Sequence, residues 1–299
     1  MSVGKKSKKD RICDIIIGIF MILFVIVTLY PILNTLAISF NDGIDSVRGG
    51  IYLFPRMFSL KNYQTVLNNP NLKQAAFISV SRTVIGTVLA VFFASMLAFI
   101  LSRKEFVFKK QLTILYVITM YVGGGMIPVY ILFKNLHLFN NFLVYILPFM
   151  VSAFNVIVIR TYINGLPESL SESAKIDGAG DFRIFIQIIL PLCKPVLATI
   201  ALFVAVDQWN QWFDSMIYCA GAPNLTTLQY ELMKILSSAT SLSTSSGATS
   251  DLTKNSASMV TPMSIRAAIT IITALPIVCL YPFLQKYFVT GLTIGGVKE

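Results

Sequence analysis

One histidine, four cysteines and fourteen carboxylates are the obvious candidates for chemistry in this 299-residue sequence. A reaction centre needs a nucleophile beside a base, or several metal-ligating groups at fixed spacing. His137 has no neighbour at such spacing, so neither catalytic residues nor a metal site are read here. Cys13, Cys193, Cys219 and Cys279 lie in or beside apolar runs without CxxC spacing, and read as small apolar residues. Polar residues gather in two places. Residues 164–191 mix carboxylates with Ser, Ala and Gly, a surface suited to gripping a partner rather than to bond chemistry. The run Asp207-Gln208-Trp209-Asn210-Gln211-Trp212-Phe213-Asp214 suits hydrogen bonding.

The elements that must position these residues are apolar. The chain is 55% hydrophobic and 13% charged, with a mean hydropathy of +0.72. Soluble domains carry about 25% charged residues, and this much apolar surface needs lipid as its solvent. Six segments reach the length of about 20 residues that a membrane-crossing helix needs: 12–39, 75–101, 112–133, 142–163, 192–216 and 266–288. The first is too long for a signal-peptide core of about 7–15 residues, and reads as a retained span. The formal charge of +10 does not point to nucleic acid, because Lys5, Lys6, Lys8, Lys9, Arg11 and most later cations flank apolar runs. With the N-terminus inside, 15 Lys and Arg residues fall inside and 8 outside. Both termini are therefore expected in the cytoplasm.

The inside segment 164–191 has its own pattern. Pro167 suits a first helical turn, Glu168 its positive end, and Ser169 with Glu172 has capping-box spacing. Gly178 and Gly180 break the periodicity as a tight turn does. Asp181 then fits the N-cap of a second helix whose apolar side carries Phe182, Phe185 and Ile189, with Pro191 closing it and opening the fifth span. The physical reading is a helix–turn–helix at the inner surface, either docked to a soluble partner or simply interfacial.

The spacing of Glu172, Ser173, Ala174, Gly178, Ile188, Leu190 and Pro191 resembles the signature of ABC importer permeases: Glu-Ala-Ala, three residues, Gly, nine residues, Ile, one residue, Leu-Pro. Ser173 for the middle Ala is the one departure. The Asp177-Gly178-Ala179 wording, the run Trp209–Phe213 and the tail Gly291–Glu299 resemble the maltose-type carbohydrate branch, closer to complex-saccharide permeases. The resemblance covers residues 75 to the end.

It implies an all-α polytopic fold, the type I importer permease, with six transmembrane helices in a bacterial cell membrane. Residues 1–74 hold the N-terminal segment, first span and external loop. Residues 75–288 form the core, with coupling loop 164–191 and external loop 217–265, and 289–299 a cytoplasmic tail. Implied partners are a second permease, two ATPase subunits, an external solute-binding protein and a carbohydrate. Glu168, Glu172, Ser173, Ala174, Asp177, Gly178, Ile188, Leu190 and Pro191 would couple to the ATPase, and Gly295, Gly296 and Val297 would touch it. No cofactor is expected on this chain. It has no GxxxxGK[ST] phosphate loop, so ATP and Mg belong to the partner. The other classes weighed are a membrane-embedded enzyme and an ATP-independent carrier, and neither uses the docking loop.

Several residues keep two readings. Asp207, Trp209, Asn210 and Trp212 suit a sugar path, since indoles stack on pyranose faces, or else an aromatic belt and interhelical hydrogen bonds. Arg160 suits a salt bridge to Glu168 or Glu172, or snorkelling. Arg82 lies in a span with no obvious partner. Gly123-Gly124-Gly125 before Pro128 marks a kink, made for close packing or for a hinge. The Ser/Thr/Ala-rich tract 237–258 is expected to lack order.

Overall fold

The computed structural model describes residues 8–244 and 261–294. Among the described residues, three helices are long and apolar enough to cross a membrane alone: Arg11–Ser39, Pro70–Ser102 and Pro262–Pro282. Three more crossings are bent pairs, Lys109–Tyr121 with Met126–Asn135 (116°), Phe142–Phe149 with Ala153–Asn164 (45°), and Asp181–Leu192 with Lys194–Asn210 (82°). Counting each pair as one span gives the six that the sequence predicts. Unbroken spans come from runs without internal Gly clusters, and the sharpest bend has an identifiable cause. The first falls at Val122–Gly125, where Gly125 takes φ 80°. No atom outside the local backbone stands within 4 Å of a Cβ placed on Gly123, Gly124 or Gly125, so within the chain these glycines serve the break and not close packing.

Contacts divide the chain into two compact units, Met1–Asn69 with Lys234–Ala274, and Pro70–Met233 with Leu275–Glu299. In the first, α1 (Lys8–Ser39) leaves its membrane stretch wholly open. Short helices α2 (Gly43–Val47) and α3 (Lys61–Asn68) follow. Buried polar side chains hold this region together. Asn62 Nδ2 donates to the carbonyls of Ser39 and Asn41, and Asn41 Nδ2 donates to Asp45. Arg56 pairs with Asp45 at 3.1 Å.

The second unit is built on α4 (Pro70–Ser102). Then come α5 (Lys109–Tyr121), α6 (Met126–Asn135), two 3-10 turns over 142–149, and α7 (Ala153–Asn164). The inner loop forms α8 (Ser169–Ile176), α9 (Asp181–Ile184), a π-turn over 185–189 and α10 (Leu190–Leu192). The chain continues through α11 (Lys194–Asn210), α12 (Phe213–Tyr218), α13 (Leu228–Thr244) and α14 (Pro262–Ile294). The boundary between units falls within α13 and α14.

Helix α4 buries Ala75, Ser79, Arg82, Gly86, Ala90, Ala94 and Ala98, a nearly regular four-residue stripe of small residues interrupted by one arginine. Small residues let helices approach closely in a membrane, and α4 packs along α7 and α11. Gly86 shows the tolerance: a Cβ there would meet the Gln208 side chain at 3.1 Å.

Several expectations need correction. Pro191 does not end the second inner helix. The helix runs on to Leu192 and the chain turns at Cys193, with Pro195 in the first turn of α11. The expected span 192–216 therefore differs at both ends: its crossing is the bent pair from Asp181, with Lys194–Asn210 as the second arm, and the helix stops at Asn210. The first eight residues of the tract 237–258 are helical, continuing α13 through Thr244, because they extend an amphipathic helix already started at Leu228. Residues 245–260 lie outside the described residues.

Arg82 has partners after all. It is fully buried, and its guanidinium donates to Gln208 Oε1 (3.0 Å), the Gln211 carbonyl (3.0 Å) and Asp214 Oδ2 (2.9 Å), while lying 4.5 Å from the Tyr145 ring centroid. These partners lie at least 63 positions away in sequence, which hid them from a sequence reading. Breaking one side of a buried ion pair costs about 3–5 kcal/mol. Arg82→Gln is expected to lower thermal stability by that order, read as earlier exposure of the buried Cys193 and Cys219 thiols to a fluorogenic dye on heating, with the exposed Cys13 and Cys279 replaced by Ser. Arg82→Gln with Asp214→Asn should recover part of the loss, and strict additivity of the two substitutions would refute the pairing.

Candidate functional site

The inner loop is shaped by one helix cap. At the end of α8 the amide of Ala179 donates to the Ala174 carbonyl (2.9 Å) and that of Gly178 to the Lys175 carbonyl (3.0 Å). This is a Schellman motif, and its pivot, Gly178, has φ 80°. Space is not what requires glycine there, since nothing lies within 4 Å of an added Cβ; the left-handed backbone is. Ala174 and Ala179, the pair that touches across such a cap, both pack into the core of this unit. Ser171 and Ala174 are buried while Glu172, Ser173 and Asp177 are exposed. The Ser173 departure from Glu-Ala-Ala thus falls on an open position.

The second arm differs from its predicted pattern. Ile184, Phe185 and Ile189 are buried, but Phe182 is 66% exposed. The π-turn at 185–189 advances the register by one residue, which brings adjacent Ile184 and Phe185 inward together. Ile188 and Leu190 pack partly against the same core, and Pro191 is exposed. Asp181 is the first residue of α9 rather than its cap; Glu168 takes the N-cap position of α8 with no side-chain cap hydrogen bond, so Ser169 is the first helical residue and not the cap of a box with Glu172. At the tip, Ile176 is 86% exposed.

Two crossed ion pairs tie α8 to the turn after α4. Lys104 binds Glu168, and Lys175 Nζ reaches both Glu105 oxygens (2.8 and 2.9 Å). The hydrogen bond and charge of Glu168 raise the Lys104 pKa; those of Lys175 hold Glu105 below its usual 4.5. Arg160, read as suiting either a salt bridge to Glu168 or Glu172 or snorkelling, makes neither carboxylate pair among the described residues and donates to Thr113 Oγ1 at 2.7 Å, because α7 faces α5 at that level. The charged cleft of about 220 Å³ beside α8 is lined by Arg103, Lys104, Glu105, Glu168, Glu172 and Lys175 among others.

The second polar stretch is split by the helix break at Gln211–Trp212. Asp207 lines a pocket of about 290 Å³ with Ser152, Asn155, Gln208, Phe149 and Phe203. Trp209 is buried, Asn210 is exposed, and Trp212 packs edge-on against Phe213 at 5.8 Å. Asp214 belongs to Arg82. Gly295, Gly296 and Val297 lie outside the described residues. No group of three His, Cys, Asp or Glu side chains able to hold a metal occurs among the described residues.

The comparisons with known proteins agree with this architecture. Residues 1–294 match the model of the family described as "Binding-protein-dependent transport system inner membrane component". The chain belongs to that family. It is 34% identical over 291 residues to the polygalacturonan/rhamnogalacturonan transport system permease protein YtcP of Bacillus subtilis (strain 168), covering 97% of this chain and 99% of that one. It is 29% identical to the arabinooligosaccharides transport system permease protein AraQ of the same organism, covering 98% and 99%. A crystal structure of a bacterial ABC transporter involved in the import of the acidic polysaccharide alginate contains a chain that superposes with a TM-score of 0.84 at 28% identity, covering 95% of this chain and 99% of that chain. This family member is a membrane transport subunit, not an enzyme, and membership brings an ATPase and a solute-binding protein as partners.

The crossed pairs give a pH expectation. Glu105 has a depressed folded pKa, so its contribution is present above the unfolded value and is lost as pH falls through the folded one. Amide exchange of α8, corrected for intrinsic rates, should therefore rise below neutral pH as the carboxylate range is crossed. Lys175→Glu should raise it a few-fold at neutral pH, and Glu105→Lys added to it should restore protection. Unchanged exchange in both variants would show that the pairs do not hold α8.

Proposed function

We propose that this chain is one of two permease subunits of an ATP-driven importer for an oligosaccharide, with α8 as its coupling helix. The observation that carries the reading is the tip of the inner loop. A capped helix rests its small residues on the core and presents Leu170, Ile176 and Phe182 outward beside Glu172 and Asp177. Exposed apolar side chains on a rigid, charged projection are what a cleft on a soluble partner receives. The carbohydrate reading is supported by the printed names of YtcP and AraQ and by the alginate transporter.

In this mechanism both termini are cytoplasmic, and two ATPase subunits sit beneath this permease and its homologous partner. They use ATP and Mg; this chain binds neither. Glu168, Glu172, Ser173 and Asp177 form the exposed docking face. Ala174 and Gly178 set the turn, and Ile188, Leu190 and Pro191 fix the second arm. Closure of the ATPases draws the two coupling helices together, and rigid-body rocking of the permeases switches the path from inward to outward. The tail at Gly295, Gly296 and Val297 adds a second ATPase contact. An external binding protein delivers the sugar, and Asp207, with its pocket, offers hydroxyl partners along the path. Trp209, Asn210 and Trp212 flank it in sequence.

Gly178 provides the test. A β-branched residue in the left-handed region costs about 1–2 kcal/mol or more, whereas Asn tolerates it. In proteoliposomes with the partner subunits, Gly178→Val is expected to lower ATP-driven oligosaccharide uptake at least about tenfold while ATP hydrolysis persists, and Gly178→Asn should keep most uptake. Full uptake by Gly178→Val would remove the coupling role. Uptake without ATPase subunits would remove the importer reading altogether.

A further inference from the structure

A groove between α5 and α7 gathers positive charge that the transport mechanism does not use. It measures about 390 Å³ and is lined by Val107, Lys109, Lys110, Thr113, Ile114 and Arg160. Lys109 and Lys110 open α5, and Arg160 lies one turn before α7 ends at Asn164. The three cations therefore sit at one end of two membrane-crossing segments, where helix ends meet the water interface. No carboxylate lines the groove.

The cations are only partly satisfied. Arg160 is held in place by its Nη1 bond to Thr113, but its Nε is buried without a hydrogen-bond partner. Lys109 reaches the Ser102 carbonyl at a long 3.3 Å. Lys110 is exposed and makes no ion pair among the described residues. A buried guanidinium N–H without an acceptor is costly, and an anion in the groove would supply one.

The surroundings identify the anion. Val107 is 82% exposed and Ile114 49%, and α5 buries no residue completely, with Leu115 and Ile118 also open. A phosphate seated among these cations can thus belong to a molecule whose chains lie along α5. Basic pockets between transmembrane helices bind phospholipid headgroups by this combination. We propose that the groove formed by Lys109, Lys110, Thr113 and Arg160 binds the phosphate of an anionic phospholipid, anchoring α5 against α7. A soluble protein partner with an acidic patch fits less well, because it would have to bury the open apolar flank of α5 as well.

Native mass spectrometry of the assembled transporter in detergent tests this, with phosphatidylglycerol and phosphatidylcholine as probes. Phosphatidylglycerol should be retained in preference to phosphatidylcholine. Each lost cation is expected to lower its affinity about fivefold, so Lys110→Gln loses about fivefold and Lys110→Gln with Arg160→Gln about 25-fold. Lys110 is exposed and unpaired, so the single variant carries the test even if the double variant fails to assemble. Equal retention of both lipids, or affinity unchanged in Lys110→Gln, would overturn the proposal. So would displacement of the lipid by millimolar inorganic phosphate alone, which would make the site one for free phosphate. Loss of the ATPase subunits from Lys110→Gln with lipid retained would make the groove a protein contact instead.

Discussion

A guanidinium buried among membrane-crossing helices sets the terms for the larger unit of this protein. A charge at such depth is expensive unless it is paired and fully hydrogen-bonded. Arg82 meets that demand with a carboxylate, a carboxamide, a backbone carbonyl and an aromatic face. Each partner constrains a different element. The Gln211 carbonyl is free to accept because α11 stops at Asn210, so the break in the fifth span and the buried arginine support one another. Asp214 fixes α12, and Tyr145 fixes the 3-10 segment and bonds onward to the Leu225 carbonyl. The small residues of α4 allow this approach, Gly86 by standing against Gln208.

The other end of α4 carries the second organised region. Ser102 closes the helix, and within three residues the chain supplies Lys104 and Glu105 to the crossed ion pairs with α8. One helix therefore links the docking loop to the arginine cluster. Exposed ion pairs contribute little stability singly, so the tie positions α8 and leaves it able to move. The Schellman cap is the stiffer feature, because it satisfies two end carbonyls through backbone geometry. Under the proposed function, force applied at Ile176 passes through a capped helix to the turn after α4, and α4 carries it into the membrane.

What the sequence made legible was what local rules determine. Apolar run length marks membrane helices, and Gly178 in the permease signature marks the left-handed turn, because both depend on neighbouring residues only. What stayed hidden depends on distant partners. Arg82 looked unpaired because Gln208, Gln211 and Asp214 meet it only through packing of α11 and α12 on α4. Proximity in sequence suggests Glu168 or Glu172 as partners for Arg160, whereas α5 offers Thr113 to Arg160 and the α4–α5 turn offers Lys104 to Glu168. A helical period puts Phe182 inside with Phe185 and Ile189, but a π-turn interrupts that period. The row Asp207 to Trp212 suits either a sugar path or an aromatic belt by residue type alone, and a helix ending at Asn210 spreads its members over buried and open positions.

The central claim is that α8 enters a cleft on an ATPase subunit, and solvent protection at its tip measures this most directly. Ile176→Cys can be introduced with the exposed Cys13 and Cys279 replaced by Ser, leaving the buried Cys193 and Cys219 in place. A membrane-impermeant maleimide is then applied to opened membranes holding either this permease pair alone or the pair assembled with its ATPase subunits. The account predicts rapid labelling of residue 176 without the ATPase, as its 86% exposure requires, and strong protection with it. Equal labelling in the two preparations would contradict the claim that α8 is the coupling helix.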